Sequence, residues 1–240
     1  ECDHPINTNL ERFYSPLGNM TMCEGRMHQG SGTGKYKSVF RANGSFYTSF
    51  DTCVAVGNGS SAGAAPDSIG SSRTAFMTGE PHANNLVNCI GYNHGGHFLH
   101  MVNSSSTTRQ NLLFCNNTGI SCGGHFIDSS GEVSTTNVAE SFNANLCYKI
   151  GGKVFRDANA NPNTDYGNFF EVAYGDVGGT FENLSMLPTR EISGVTAGDF
   201  FDFDNEDFRI RRDSPLYKGT LARRNFGALQ NEDFEFVSVS

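Results

Sequence analysis

Between residues 79 and 162 the chain repeats itself three times without a gap, as blocks 79–106, 107–134 and 135–162. Gly95-Gly96-His97-Phe98-Leu99-His100 returns as Gly123-Gly124-His125-Phe126-Ile127-Asp128, and again as Gly151-Gly152-Lys153-Val154-Phe155-Arg156. Upstream of each Gly-Gly pair, Leu86/Phe114/Phe142, Ile90/Thr118/Leu146 and Tyr92/Ile120/Tyr148 form matching columns, mostly apolar. The columns between them are smaller or more polar: Asn88/Asn116/Ala144, Cys89/Asn117/Asn145, Gly91/Gly119/Cys147 and Asn93/Ser121/Lys149. An alternation of two inside each block is the mark of a strand with one buried face.

A strand that recurs at a fixed interval in this range belongs to a solenoid. The abundance of Gly and Asn, both weak helix formers, and the period of two exclude helical repeats. The expectation is an all-β chain forming a parallel β-helix, a single-stranded solenoid of roughly 28-residue coils with like residues stacked about 4.8 Å apart. In such a stack Asn can donate and accept along a ladder. The Gly-Gly pairs mark corners that need positive φ or close backbone approach. On this register Leu86/Phe114/Phe142 and Tyr92/Ile120/Tyr148 are both interior columns, and Cys89, Cys115 and Cys147 lie opposite them.

Composition narrows the function. The net charge is −8, with no Lys/Arg cluster of the kind phosphate binding requires, so a nucleic-acid partner is not expected. No apolar run reaches the roughly 18 residues of a membrane span, so no membrane insertion is expected. Seven cysteines without a Cys-x-x-Cys pair read as buried small hydrophobes rather than a zinc or redox site, with disulfides, Cys2 and Cys23 among the candidates, as the open alternative. Six Asn-x-Ser/Thr sites, at Asn19, Asn43, Asn58, Asn103, Asn116 and Asn183, suit a secreted glycoprotein. The chain opens on Glu1 rather than Met, so a processed product or a piece of a longer chain is expected.

Residues 1–37 carry no clear repeat and read as an N-terminal cap or connecting segment. Within them Gly30-Ser31-Gly32-Thr33-Gly34-Lys35 lacks the Ser/Thr and helix of a phosphate loop, since Tyr36 follows. Residues 38–205 read as β-helix coils, interrupted by an inserted loop at 60–73. Past the third block the period lapses into degenerate coils near 169–174 and 182–186. Asp157, Asn159 and Asn161 alternate like calcium ligands, but Pro162 and Asn168 stand at the sixth and twelfth positions, which leaves calcium as a minority alternative to a polar turn. The acidic run 199–207 reads as a solvated turn, with a metal site again the minority reading.

Residues 206–240 read as a closing coil and tail. Asp207-Phe208-Arg209-Ile210, then Asp213-Ser214-Pro215-Leu216-Tyr217-Lys218-Gly219 and Asn225-Phe226-Gly227-Ala228-Leu229, resemble the closing segment of right-handed parallel β-helix proteins of the pectate-lyase-like superfamily. The resemblance covers roughly residues 38–230. It implies a right-handed coil and an extracellular or virion-surface setting. It also implies polysaccharide as partner, bound in the manner of a phage tailspike trimer or cleaved by the C-terminal part of a secreted uronate lyase. A purely structural surface or filament protein is the further alternative, and whether the chain is an enzyme, a polysaccharide lyase or glycoside hydrolase, stays open.

Three columns stack polar groups into a stripe suited to an extended sugar chain: Asn93/Ser121/Lys149, His97/His125/Lys153 and His100/Asp128/Arg156. If the lyase mechanism of the superfamily applies, Lys149, Lys153 or Arg156 is the base and a cation such as calcium neutralises the uronate. Asn93, His97, His100, Ser121, His125 and Asp128 would line the substrate. A hydrolase needs two carboxylates facing across a cleft, and Asp128 has no acidic neighbour in its column across the three blocks. An anionic glycan would draw its cations from Lys149, Lys153 and Arg156.

Overall fold

The computed structural model describes residues 13–15, 18–26, 38–43, 47–57, 74–79, 83–102, 113–129, 138–139, 141–157, 164–165, 170–182 and 187–228. The stretch 30–35, the loop 60–73, the calcium-like run from Ala158 to Asn163 and all but Glu182 of the strand expected over 182–186 lie outside them. The described strands form a large parallel sheet that curls nearly closed, a solenoid-like arrangement.

Three ladders run along it. The first joins Phe13–Ser15, Ser38–Asn43, Thr74–Gly79, Leu99–Val102 and Ile127–Ser129. The second joins Gly18–Thr21, Tyr47–Asp51, Ala83–Val87 and Leu113–Cys115. The third joins Glu24–Arg26, Val54–Val56, Ile90–Tyr92 and Thr118–Cys122. All three then merge into the long strands Ser141–Asp157 and Phe170–Glu182.

The 28-residue register is the one the blocks dictate. Leu86 lies beside Phe114 and Phe114 beside Phe142, and the rows through Ile90, Tyr92, Leu99 and His100 continue in step. Two further coils fall where periodicity was weak. Residues 13–26, where no repeat is legible, pair strand by strand with residues 40–56. Beyond the third block the coil continues but shortens: Phe142 pairs with Phe170, Tyr148 with Gly175 and Arg156 with Glu182, with register shifts after Phe142 and Ile150. Those shifts erase a strict repeat from the sequence without ending the stack.

Phe50, Leu86, Phe114, Phe142 and Phe170 make one interior column, all at most 3% exposed. Their rings meet in tilted contacts, at 5.5 Å for Phe114–Phe142 and 6.0 Å for Phe142–Phe170. Tyr92, Ile120 and Tyr148 do stack as a column, but on the opposite face, within a separate apolar cluster. The cause is a corner between the second and third ladders. Thr52, Asn88, Asn116 and Ala144 all adopt left-handed backbone there, with φ of 53° to 56°. The corner resets the alternation, so Cys89 and Cys147 turn inward beside Leu86 and Phe142, while Cys115 is half-buried. No disulfide joins the described cysteines to one another.

Inside the same corner Asn117 and Asn145 form the expected amide ladder. The Asn117 backbone N–H donates to Asn145 Oδ1 (3.0 Å), and the Asn117 amide donates to the Leu86 carbonyl (2.8 Å). The Cys89 backbone N–H donates in turn to Asn117 Oδ1 (3.0 Å). These bonds satisfy backbone groups that a corner would otherwise leave buried and unpaired.

The outer face of the third ladder is covered by the chain's own C-terminal segment. A hairpin of Phe200–Asp202 and Asp207–Ile210 leads into a compact run of turns, and Val195, Phe200, Phe208, Ile210, Leu216 and Phe226 pack against Val56, Ile90, Tyr92, Ile120, Leu146 and Ala173. Polar bonds fix the seat. Tyr92 Oη donates to Glu206 (2.9 Å), the Gly227 N–H donates to the Ala144 carbonyl (2.7 Å), and the Ala228 N–H donates to Thr118 Oγ1 (2.8 Å). At Gly227, φ is +81° and a Cβ would lie 2.5 Å from Thr118 Oγ1, so any side chain would lift the segment. This strap lies along the wall.

Candidate functional site

The polar stripe separates into two groups. Asn93, Ser121 and Lys149 share a second left-handed corner with Asp176, at φ of 60°, 52°, 55° and 49°. Asn93 and Lys149 are exposed and Ser121 is half-buried. The Lys149 ammonium lies 4.9 Å from the Phe203 ring of the strap. Their shared property is a backbone conformation that disfavours most side chains by about 1–2 kcal/mol, and which Asn tolerates best.

The second group is brought together and buried. His97, His100, His125 and Asp128 are each at most 4% exposed. The His97 ring stacks on that of His125 at 5.2 Å and 7°. The Gly-Gly pairs make this stack fit by close approach. A Cβ on Gly124 would lie 2.5 Å from His97 Nδ1, and one on Gly152 would lie 2.6 Å from His125 Nδ1.

Each imidazole accepts a backbone N–H from the next coil. The His125 N–H donates to His97 Nδ1, and the Lys153 N–H to His125 Nδ1, both at 2.8 Å. A ring nitrogen that accepts cannot carry the proton, so both neutral rings bear it on Nε2. His97 Nε2 and His100 Nε2 each lie 3.5 Å from Asp128 Oδ2, and Arg156 Nε donates to Asp128 Oδ1 at 2.8 Å.

Burial pushes the His97 imidazole down to about 3 and that of His100 to about 4, against the pull of Asp128. Burial also opposes charge on Asp128, yet His97 and the Arg156 guanidinium hold its carboxyl below the usual carboxylate range. At neutral pH His97 and His100 are thus neutral imidazoles beside a carboxylate–guanidinium pair. Lys153 is ion-paired with Glu182. The exposure of the column rises along the coils, from His97 to Lys153 and from Asp128 to Arg156.

Of the three candidate bases, Lys153 and Arg156 are therefore held by carboxylates, and only Lys149 stands at the surface corner. The column through Asp128 does contain a second acid. Glu182 falls two rungs away, because the fourth coil is two residues shorter at this point. A strict 28-residue count misses it. Its carboxylate is engaged by Lys153, and Asp128 is buried, so the two do not flank an open cleft. In the acidic run, Asp199 accepts from Thr196 and Ser214 and Asp207 accepts from Arg209. Among the described residues no group of three His, Cys, Asp or Glu is arranged to hold a metal ion.

Asn116, one of the glycosylation-type sites, is buried and donates to the Asn225 and Gly227 carbonyls of the strap (3.3 and 3.4 Å), so a sugar there and the seated strap are mutually exclusive. Neither a family model nor a curated protein matches the chain.

Proposed function

We propose that the chain is a right-handed, pectate-lyase-like β-helix that works at an extracellular or virion surface by binding polysaccharide, in the manner of a tailspike. The carrying observation is the parallel stacking of successive coils, which repeats side-chain columns about every 4.8 Å along the sheet. That spacing suits an extended, repeating polymer better than a compact ligand.

Binding is favoured over cleavage by the condition of the stripe. Its histidines are buried, and His97 and His125 are committed to backbone donors, whereas a general base must reach the proton it removes. Lyase chemistry would fall to Lys149 alone. A trimer, which a tailspike implies, would need a face other than the apolar strip under the strap.

A glycan array of neutral and acidic polysaccharides, followed by an assay for released reducing or unsaturated ends, tests the proposal. The expected result is retention of at least one polymer with no sugar released. Release of unsaturated ends would favour the lyase, and retention of nothing at low salt would leave a purely structural role. Light scattering reports the oligomeric state independently.

A further inference from the structure

The strap holds a third of the chain's cations. Residues 209–224 contain six Lys and Arg and one acid, Asp213, within a chain whose net charge is −8. No single run of like charge marks them, because apolar anchors interrupt the series. Arg209 is ion-paired with Asp207 and Arg211 with Asp213. Arg212, Lys218, Arg223 and Arg224 are exposed, and among the described residues no ion pair neutralises Arg212, Arg223 or Arg224.

The backbone beneath them is tightly tied. The Phe226 N–H donates to the Leu216 carbonyl (3.1 Å) and the Thr220 N–H to the Arg224 carbonyl (3.1 Å). The Lys218 N–H donates to Asn225 Oδ1 (2.8 Å), and the Leu221 N–H donates to the buried Glu171 carboxylate (2.6 Å). Leu216 and Phe226 anchor the knot at 0% exposure. Lys218 and Arg223 occupy left-handed backbone at φ of 50° and 57°, where Asn or Gly is the economical choice. The Lys218 ammonium lies 5.2 Å from the Tyr217 ring, whereas Arg223 puts a long cation on this backbone at the surface with no ion pair among the described residues.

Resting on the polysaccharide reading above, we infer that the outer surface of the strap, through Arg212, Lys218, Arg223 and Arg224, binds an anionic polysaccharide by its carboxylate or sulfate groups. Guanidinium groups suit such oxyanions because they donate two parallel hydrogen bonds. Three of the four cations are arginine. The fixed turns hold them in place before the polymer arrives, which reduces the ordering cost of binding. The cations first expected to serve, Lys153 and Arg156, are already matched by Glu182 and Asp128.

The test uses the full chain and four immobilised probes: polygalacturonate, dextran sulfate, neutral dextran and duplex DNA. The variant Arg212→Gln/Lys218→Gln/Arg223→Gln/Arg224→Gln removes four surface charges and no anchor, and its melting curve checks that it folds. Wild type should bind polygalacturonate or dextran sulfate, weakening as salt rises, and each lost cation should reduce affinity about two- to threefold, so that the quadruple variant loses more than tenfold. An unchanged affinity in the quadruple variant overturns the inference but leaves the polysaccharide reading standing. So does loss through Lys149→Gln alone. DNA bound as tightly as either acidic glycan replaces the partner class. Binding to no glycan, acidic or neutral, removes the functional reading itself.

Discussion

The inner and outer faces of the third ladder belong to the same strands, yet they are covered from very different distances along the chain. Inward, Ala55 and Cys147 belong to one buried cluster with Phe98, Phe126 and Phe142. Outward, Tyr92 meets Phe208 at 5.3 Å and Tyr148 meets Phe200 at 5.9 Å, across 116 and 52 residues of sequence. The interior is therefore a product of repetition, whereas the exterior needs a partner that does not repeat. A solenoid wall can specify its inside one coil at a time. Its outside has to be specified once, by a dedicated segment.

The largest test of that contrast is to remove the segment. Truncation at residue 207 should uncover Tyr92, Ile120 and Leu146 and yield aggregating, dye-binding protein. A soluble monomer with an unchanged melting profile would mean that the outer cluster is dispensable. Next in size is Phe114→Ala, which should cost about 3–5 kcal/mol by emptying a buried aromatic site in the inner stack. Urea denaturation measures it, and a loss under 1 kcal/mol would argue against the tight interior described here.

Acidification should follow. Folded His97 and His100 resist protonation down to about 3 and 4, while the unfolded chain takes up protons below about 6.5. The unfolded state then binds more protons across that window, so stability falls as pH drops. Between pH 6.5 and 5 each histidine should cost about 2 kcal/mol. His97→Asn, which keeps an acceptor for the His125 N–H, should flatten the slope by roughly half; an unaltered slope would locate the titration elsewhere. The smallest effect concerns the corner. Thr52 is β-branched at φ 55°, in the column occupied by Asn88 and Asn116. Thr52→Asn should raise stability by about 1 kcal/mol, and no change in melting temperature would show that the corner is not strained.

The sequence exposed the ladders because Leu86, Phe114 and Phe142 recur at one interval and pair in that register. It concealed the corners, since Thr52, Asn88, Asn116 and Ala144 share a conformation without sharing a side chain. For that reason Cys89 and Tyr92 were expected on the wrong faces. The Gly-Gly columns were visible, but not their burial. A His or Asp looks the same in sequence whether it faces solvent or accepts a backbone N–H under another imidazole. The seat of the strap is not legible because its apolar residues find their partners far upstream, beyond any local pattern. The turn that ties the Lys218 N–H to Asn225, beside Arg223 and Arg224, is likewise invisible in the local pattern.

The strap also bears on how such a molecule comes apart. Coils bound only to their neighbours unravel from the ends, each rung lost for little more than its own stacking energy. Here one continuous segment contacts the coil of Tyr92 through Phe208, that of Thr118 through Ala228, that of Tyr148 through Phe203 and that of Glu171 through Leu221. Fraying any of these coils means loosening a piece shared by the others. A stack that would melt rung by rung is thereby coupled into one block, and its central coils should exchange their amide hydrogens together rather than in sequence.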